Sequence, residues 1–396
     1  DEYYGGNIMF ISPSDLHGDY LIEESEKTIT EEGLNSIETN SIGGLSVLTG
    51  CIGWDMGNVA MCNSRCATNQ QINTITRFNE SIADPRYVYY WLKGKKDYLF
   101  SIASVTRTPI LSKSVFEDID IPIPCLGLQK KVANLLSSID EKIRINNKIN
   151  DYLEEMAKTI YDYWFVQFDF PNENGKPYKS SGGKMVNSNG HIIPEGWTFC
   201  KVQDIISNIC TGLNPRDNFK LGTGDIKYIT VKNLTPNGTL DFTGCDTIDE
   251  SARTIVHNRS DIQIGDILFA SIAPLGRCYL IQSEPTDWDI NESVFSIRAN
   301  TDIITPAFLY LDFMSDAFIK HATSSSTGSI FKGIRINTLL ETELCVPPLS
   351  VILKFKERLA SIFPLKSKNY EEIQRLSNLR DWLLPMLMNG QATIED

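Results

Sequence analysis

Gly6-Asn7-Ile8-Met9-Phe10-Ile11, followed by Asp15-Leu16, returns as Gly224-Asp225-Ile226-Lys227-Tyr228-Ile229, followed by Asn233-Leu234, at an offset of 218 residues. Further along, Pro85-Arg86-Tyr87-Val88-Tyr89-Tyr90 is echoed by Pro306-Ala307-Phe308-Leu309-Tyr310-Leu311 at an offset of 221. Ile121-Pro122-Ile123-Pro124-Cys125-Leu126 then parallels Leu344-Cys345-Val346-Pro347-Pro348-Leu349 at an offset of 223. Three matches in one order mark an internal duplication, and the drifting offset is what loop insertions between equivalent elements produce.

Each copy has the same internal order. Short β-type runs such as Ile226–Val231 and Ile267–Ile272 come first, broken by Gly, Asn, Asp and Pro. A helical patch follows (86–101 and 307–322), then a proline-containing strand end, then a long helix. In the first long helix, about Leu128 to Tyr163, Val132, Ile139, Leu153 and Ile160 recur at seven-residue spacing or its multiples. Leu136, Ile143, Ala157 and Trp164 do the same, which is the seam of a coiled coil. At an offset of 223 the second helix repeats it with Phe355, Leu359, Ile362, Ile373, Leu376, Leu383 and Leu387. Helix pairing is therefore assigned to Val132, Leu136, Ile139, Ile143, Leu153, Phe355, Leu359, Ile362 and Leu376. The second helix departs by carrying Lys366 and Arg380 at seam positions and Pro364 inside, where the missing donor should kink or restart it. Asn146 and Asn369 hold equivalent seam positions; such an Asn either fixes register or faces solvent where helices splay.

The copies are unequal at the front. Ile193-Pro194-Glu195-Gly196-Trp197-Thr198 and the residues up to Gly224 have no counterpart ahead of Asp1, so the repeat alignment leads us to expect about thirty further residues there. Asn172–Gly190, rich in Gly, Ser and Asn, reads as a flexible linker.

Length predicts two or three domains with room for sizeable cores. No run of about 18 apolar residues is present, which argues against a transmembrane helix. The odd count of nine cysteines contains no CxxC pair. Cys62 and Cys66, with Cys51 upstream, lack a nearby His to complete a zinc set, so reduced thiols and a cytoplasmic setting are expected and no metal is. The net charge of −13 weighs against a free-standing nucleic-acid binder. Charge is uneven, however. Residues 1–40 hold ten acidic side chains against Lys27, whereas 86–113 hold six basic ones against Asp97, interleaved with Tyr87, Tyr89, Tyr90, Trp91 and Tyr98. A solvated helix face is the plainer reading, but that local sign permits phosphate contact.

No catalytic set stands out. The four histidines lie far apart, no HExxH occurs, and Asn214-Pro215-Arg216 is only a failed approach to the Asn-Pro-Pro-aromatic motif of an adenine methyltransferase. Leu221-Gly222-Thr223-Gly224 leads into a strand rather than a helix, so a turn explains it better than a nucleotide loop.

The order β-rich domain, long helix, Pro-Glu-Gly-Trp, β-rich domain, long helix resembles the specificity (S) subunit of type I restriction–modification systems. The resemblance rests on Gly196-Trp197 opening the second domain, the Gly-x-Ile-x-aromatic-Ile strands, and Ile-Pro-Ile-Pro and Val-Pro-Pro-Leu leading into the helices. The ending Leu379-Arg380-Asp381-Trp382-Leu383-Leu384-Pro385-Met386-Leu387-Met388-Asn389-Gly390 is similar to that family's tail. Of the Glu-Gln that the family usually places after the proline, only Gln129 survives here, and the second copy has Ser350-Val351-Ile352.

The resemblance implies an α+β fold. Two tandem β-rich target recognition domains are each followed by a long helix, and the helices pack as an antiparallel coiled coil with pseudo-twofold symmetry. The expected boundaries are a first recognition domain at 1–125, its helix at 126–165, a linker at 166–192, a second recognition domain at 193–346 and its helix at 347–390. It further implies that each domain reads half of a split site on double-stranded DNA. Two modification (methyltransferase) subunits would dock on the chain and methylate adenine at N6, and restriction subunits would cut. S-adenosylmethionine, ATP and Mg are expected in those partners and none in this chain, which would be a non-catalytic subunit. A 36-residue helix at about 1.5 Å per residue spans roughly 54 Å, against about 34 Å for one DNA turn.

Side chains able to bond base edges mark the candidate contacts. These are Arg65, Asn69, Gln70, Gln71, Arg107 and Lys113 in the first domain, and Lys232, Asn233, Arg277, Lys332 and Arg335 in the second. For Asp15 and Asn233, which follow equivalent strands, turn capping is the simpler alternative. The competing readings are a protein–protein adaptor on a helical stalk, which the acidic balance favours, and an enzyme of unrecognised type.

Overall fold

The computed structural model describes residues 2–37, 40–53, 56–104, 108–242, 244–324 and 333–394. The chain forms two compact units, Asp1–Asn147 with Tyr370–Asp396, and Lys148–Asn369. The first long helix, Leu126–Tyr161, ends in a π-helical turn, Asp162–Val166. The second is interrupted. Helix Leu349–Arg358 stops, and Ile362–Met388 begins with Pro364 in its first turn, where no backbone donor is needed. The restart predicted from Pro364 is therefore present.

In the first unit, one sheet has the order Lys27–Ile29, Tyr4–Ile11, Cys66–Thr68, Ser41–Ile42, and a second has Leu21–Ile22, Val59–Cys62, Ser46–Gly50, Ile72–Ile75. In the second unit the corresponding orders are Asp246–Ile248, Ile226–Ile229, Trp288–Ile290, and Ile206–Thr211, Val294–Ala299, Ile267–Ala270, Cys278–Leu280. Tyr4–Ile11 runs parallel to Cys66–Thr68, as Ile226–Ile229 does to Trp288–Ile290. Both leading strands need glycine at the same place. A Cβ on Gly6 would lie 2.3 Å from the Ile29 carbonyl oxygen, and one on Gly224 2.6 Å from that of Ile248. The duplication seen in sequence is thus a duplication of topology.

The helical patches begin alike, at Pro85–Lys93 and Pro306–Phe313, with Pro in the first turn and Asp84 or Thr305 as side-chain cap. Gln129, fully buried, locks the first long helix to this region. Its side chain accepts from the Asp84 amide at 2.9 Å and donates to the carbonyls of Ile82 and Pro124.

Within the first unit, Val132 and Leu136 share a core with Tyr87–Leu92 and with Leu384 and Leu387, while Ile139 and Ile143 pack with Ile373 and Leu376. Arg380 bonds Asp140 at 2.7 Å, and Lys142 and Asn146 both bond Glu372, so partner numbers fall along one helix as they rise along the other. The helices are antiparallel. The second unit keeps that sense, with Asn369 on Asn150 at 3.1 Å and Lys366 on Glu154 at 2.5 Å. There Phe355, Leu359 and Ile362 enter a large aromatic core with Tyr161, Trp164 and Phe165, against which Leu153 packs half-buried. Phe165 stands edge-on to both Phe308 and Phe355 at 4.7 Å, a geometry that adds to simple burial. Asn146 and Asn369 are both buried and bonded, so the splayed, solvated alternative does not hold.

The stretch 172–190, read as a flexible linker, is instead a run of hydrogen-bonded turns ending in the hairpin Met185–Ser188 with His191–Pro194. The physical reason is aromatic. Phe170 stacks on Tyr178 at 4.6 Å and lies 5.3 Å from Trp197, giving a polar-looking stretch something to bury.

Buried charge fixes two sites in the second unit. Glu154 accepts from both Tyr310 and Lys366, whose ammonium also caps the carbonyls of Asn237 and Gly238. Replacing Lys366 by Ala strands the Glu154 carboxylate and should cost about 3–5 kcal/mol in a denaturant titration. Adding Glu154→Leu to Lys366→Met should recover part of that loss.

Asp312, bonded by the Tyr161 hydroxyl at 2.6 Å, is pushed up to about 6 by burial. Its folded value lies above the unfolded one, so the native state takes up the proton more readily. The contribution is most favourable below about pH 4 and is lost as pH rises through 6. Asp312→Asn keeps the hydrogen bond, so the variant should unfold at a higher temperature than the parent at pH 8. Its advantage, on the order of 3 kcal/mol at most, should shrink towards zero between pH 6 and 4.

Candidate DNA interface

In the second unit, three pieces of chain converge beside the sheet. The turn Val231–Asn233 follows strand Ile226–Ile229, the loop 271–277 joins Ile267–Ala270 to Cys278–Leu280, and 333–335 lead into helix Ile336–Leu340. Arg277 bridges two of them by donating to the Leu234 carbonyl at 3.0 Å, and the third is tied on where the Ile334 amide bonds Ser271. Exposed Lys232 and exposed Arg335 thus sit on segments that touch the Arg277 loop. A surface with three cations on linked loops can contact phosphates or base edges.

Asn233 belongs to the turn rather than to that surface. It is buried, its side-chain oxygen accepts from the amide and hydroxyl of Thr230, and its side-chain amide donates to Asp241. Asp15 does the same for Ser12 in the first unit. Both follow strands that need the chain to turn sharply, so capping consumes the groups that a base would require.

In the first unit, Arg65 grips Glu31 through two bonds of 2.7 and 2.9 Å, and Lys113 stands 3.8 Å from Glu117, both exposed. These exposed pairs are weakly held and can exchange for phosphate at little cost. Arg65 and Lys113 line one cleft of about 970 Å³. Asn69 and Gln71 bond each other across a turn, leaving exposed Gln70 at its tip. Arg107 and Lys332 lie outside the described residues. Arg77, which sequence reasoning passed over, lines the same cleft as Arg65 and Lys113, in the left-handed backbone region with φ 55°. Its signal was the repeat: the offset of 221 pairs it with Arg298.

The two arginines differ sharply. Arg298 is held by Asp266 at 2.8 Å and by Asp261 at 3.0 Å, which raise its pKa further, whereas Asn40 and Leu45 stand at the corresponding positions of the first copy. All nine cysteines are free thiols, with Cys62 and Cys66 in contact at 3.5 Å. Among the described residues no group of three His, Cys, Asp or Glu side chains is placed to hold a metal ion, and no helix is long and apolar enough to cross a membrane.

The helices also expose apolar side chains away from their seam. On the first helix, Ile149, Tyr152 and Met156 are exposed at alternating spacings of three and four within the second unit. Leu379 and Trp382 on the second helix are exposed within the first unit. Spacing of this kind places side chains on one face of a helix.

Residues 1–155 and 194–375 match the family model described as the type I restriction modification DNA specificity domain, once for each copy of the repeat. The chain is 24% identical over 405 residues to the type I restriction enzyme MjaIX specificity subunit of Methanocaldococcus jannaschii, covering 100% of this chain and 89% of that protein. It is 22% identical over 366 residues to the HindI specificity subunit of Haemophilus influenzae, covering 79% and 78%. Its fold matches the crystal structure of a type I restriction-modification S subunit from M. genitalium with a TM-score of 0.52 at 15% identity, over 96% of this chain and 88% of that one.

Replacing Asn233 by Ala should lower stability by about 1–2 kcal/mol, the loss measured when a capping side chain is removed. Thermal unfolding checks this, and a variant as stable as the parent would return Asn233 to the list of free surface groups.

Proposed function

Because the chain belongs to the type I restriction–modification DNA specificity family, we propose that it reads a bipartite DNA sequence and directs adenine-N6 methylation and restriction by partner subunits. One half of the sequence falls to each β-rich unit. The observation that carries this reading is the duplication: the DNA specificity family model matches both copies, and both copies keep the same three-strand core in each of two sheets. An adaptor that never touches DNA has no comparable support.

In the second unit, Lys232, Arg277 and Arg335 are the contacts we assign, with Arg65, Gln70 and Lys113 in the first. The acidic total of −13 fits a division of labour in which modification subunits supply much of the phosphate contact. Those subunits dock, in this reading, on the helices, where Ile149, Tyr152 and Met156 offer an apolar stripe for a partner to bury. S-adenosylmethionine, ATP and Mg belong to the partners, and the chemistry with them.

Base-by-base mapping of DNA methylation tests the proposal. Co-expressed with its modification subunit, the chain should yield a split motif of methylated adenines that vanishes when the chain is left out. Exchanging residues 193–346 for those of a relative should change one half of the motif and leave the other. An unchanged motif without the chain would sink the reading.

A further inference from the structure

Backbone hydrogen bonds align the loops of the two units residue by residue. The Gly50 amide bonds the Asn58 carbonyl at 2.9 Å, as the Ala270 amide bonds that of Arg277 at 3.0 Å. The Cys51 amide bonds the Gln71 carbonyl and the Ser271 amide that of Ser293. The Leu111 amide bonds Cys51 at 2.9 Å, as the Ile334 amide bonds Ser271 at 2.8 Å. Gly57 and Gly276 stand just before Asn58 and Arg277, both in the left-handed region at φ 77° and 85°. A Cβ on Gly57 would meet the Lys96 side chain at 2.9 Å, and one on Gly276 that of Ile319 at 2.6 Å. The loop that carries Arg277 at the candidate interface of the second unit therefore has its twin in the loop that ends at Asn58.

The twin has exchanged its residues. Asn58 stands in the place of Arg277. Lys96, on helix Lys96–Ile102, stands in the place of Ile319, on helix Asp316–Ser324. A cation on the loop beside an aliphatic helix residue has become an amide on the loop beside a cation on the helix. Lys96 is exposed and donates to the Asn58 side-chain oxygen at 2.8 Å. The Asn58 side-chain nitrogen stands 3.4 Å from both ring nitrogens of exposed His17, longer than a well-formed hydrogen bond. His17 ends the turn Pro13–His17 that answers Val231–Asn233. Water satisfies an exposed ammonium nearly as well as an amide oxygen does, so the Lys96–Asn58 bond contributes little stability. Its effect is to orient the amide, with the oxygen occupied and the N–H donors beside an ammonium.

We propose that Asn58 and Lys96 are a specificity-determining pair of the first unit and read a guanine from the major groove. The assignment rests on the DNA-reading role proposed above and names the residues and the base for one half of it. Lys96 offers only donors and takes up the amide oxygen, so the pair presents donors to an incoming base. Guanine is the base whose major-groove edge carries two acceptors, N7 and O6. Adenine sets an amino donor beside its N7, cytosine offers an amino donor, and thymine sets a methyl group beside its one acceptor.

Methylation mapped base by base, with the chain co-expressed with its modification subunit, tests the pair. The half-motif that survives exchange of residues 193–346 belongs to the first unit. Asn58→Ala and Lys96→Met should each relax one guanine position in that half and leave the other half intact. Methylation of sites with another base there should rise on the order of tenfold. In duplex binding by the same complex, 7-deazaguanine at that position, which lacks the N7 acceptor, should weaken the parent roughly tenfold and the doubly substituted chain far less. Thermal unfolding of both variants should match the parent; a marked loss of stability would make the pair structural and overturn the proposal. An unaltered half-motif in both variants overturns it too, as does relaxation at a base other than guanine. Uniform loss of methylation at every site, without relaxation, marks a phosphate contact and also overturns it. A parent complex that yields no split motif removes the DNA-reading role itself, whereas a split motif that both variants leave unaltered removes the Asn58–Lys96 assignment alone.

Discussion

In each unit a tyrosine hydroxyl donates into a buried carboxylate, and that carboxylate holds a cation from the opposite helix. Tyr90, Asp140 and Arg380 form the set in the first unit, and Tyr310, Glu154 and Lys366 in the second. The tyrosine lies on the helical patch of the β-rich domain, the carboxylate on the first long helix and the cation on the second. One hydrogen-bonded cluster therefore fixes both the register of the helix pair and the seating of the domain upon it. Removing either charged member leaves a desolvated charge, which is costlier than the pair is favourable. That asymmetry makes such clusters poor sources of stability and effective selectors of a single arrangement.

Around those clusters the duplicated parts have been used differently. Under the helix offset of 223, Lys366 stands where the first helix has Ile143, and Arg380 where it has Ala157. The first helix supplies both carboxylates and the second both cations, so the antiparallel pairing brings opposite charges together twice. In the β-rich domains the leading glycine and the capping Asp15 or Asn233 are kept because backbone geometry demands them. Arg77 and Arg298 diverge because Asp261 and Asp266 neutralise only the second. The groups proposed to meet DNA lie mostly on turns and loops between these fixed points, where substitution leaves the frame intact.

How far the sequence could be read follows the range of the interactions involved. The repeat, the seam and the restart at Pro364 are local or periodic, and each was legible. The order of the segment 172–190 was not, because its stability comes from Phe170 and Tyr178 reaching Trp197 rather than from its own composition. Asn233 looked like a reader because its residue type suits an adenine edge, and nothing local told that its amide was engaged by Asp241. Lys366 and Arg380 looked like faults in a seam until Glu154 and Asp140 were found opposite.

By itself, then, the sequence determined that the protein is built twice, that each copy joins short strands to a long helix, and which helix faces are apolar. Those properties are written in spacing, and spacing survives without contacts. Tertiary structure decided which charges are paired, which polar groups are engaged in turns, and which are exposed on the surface. Each of these depends on residues distant in the chain coming within a few ångströms. Residue type and order constrain such meetings only through the fold as a whole.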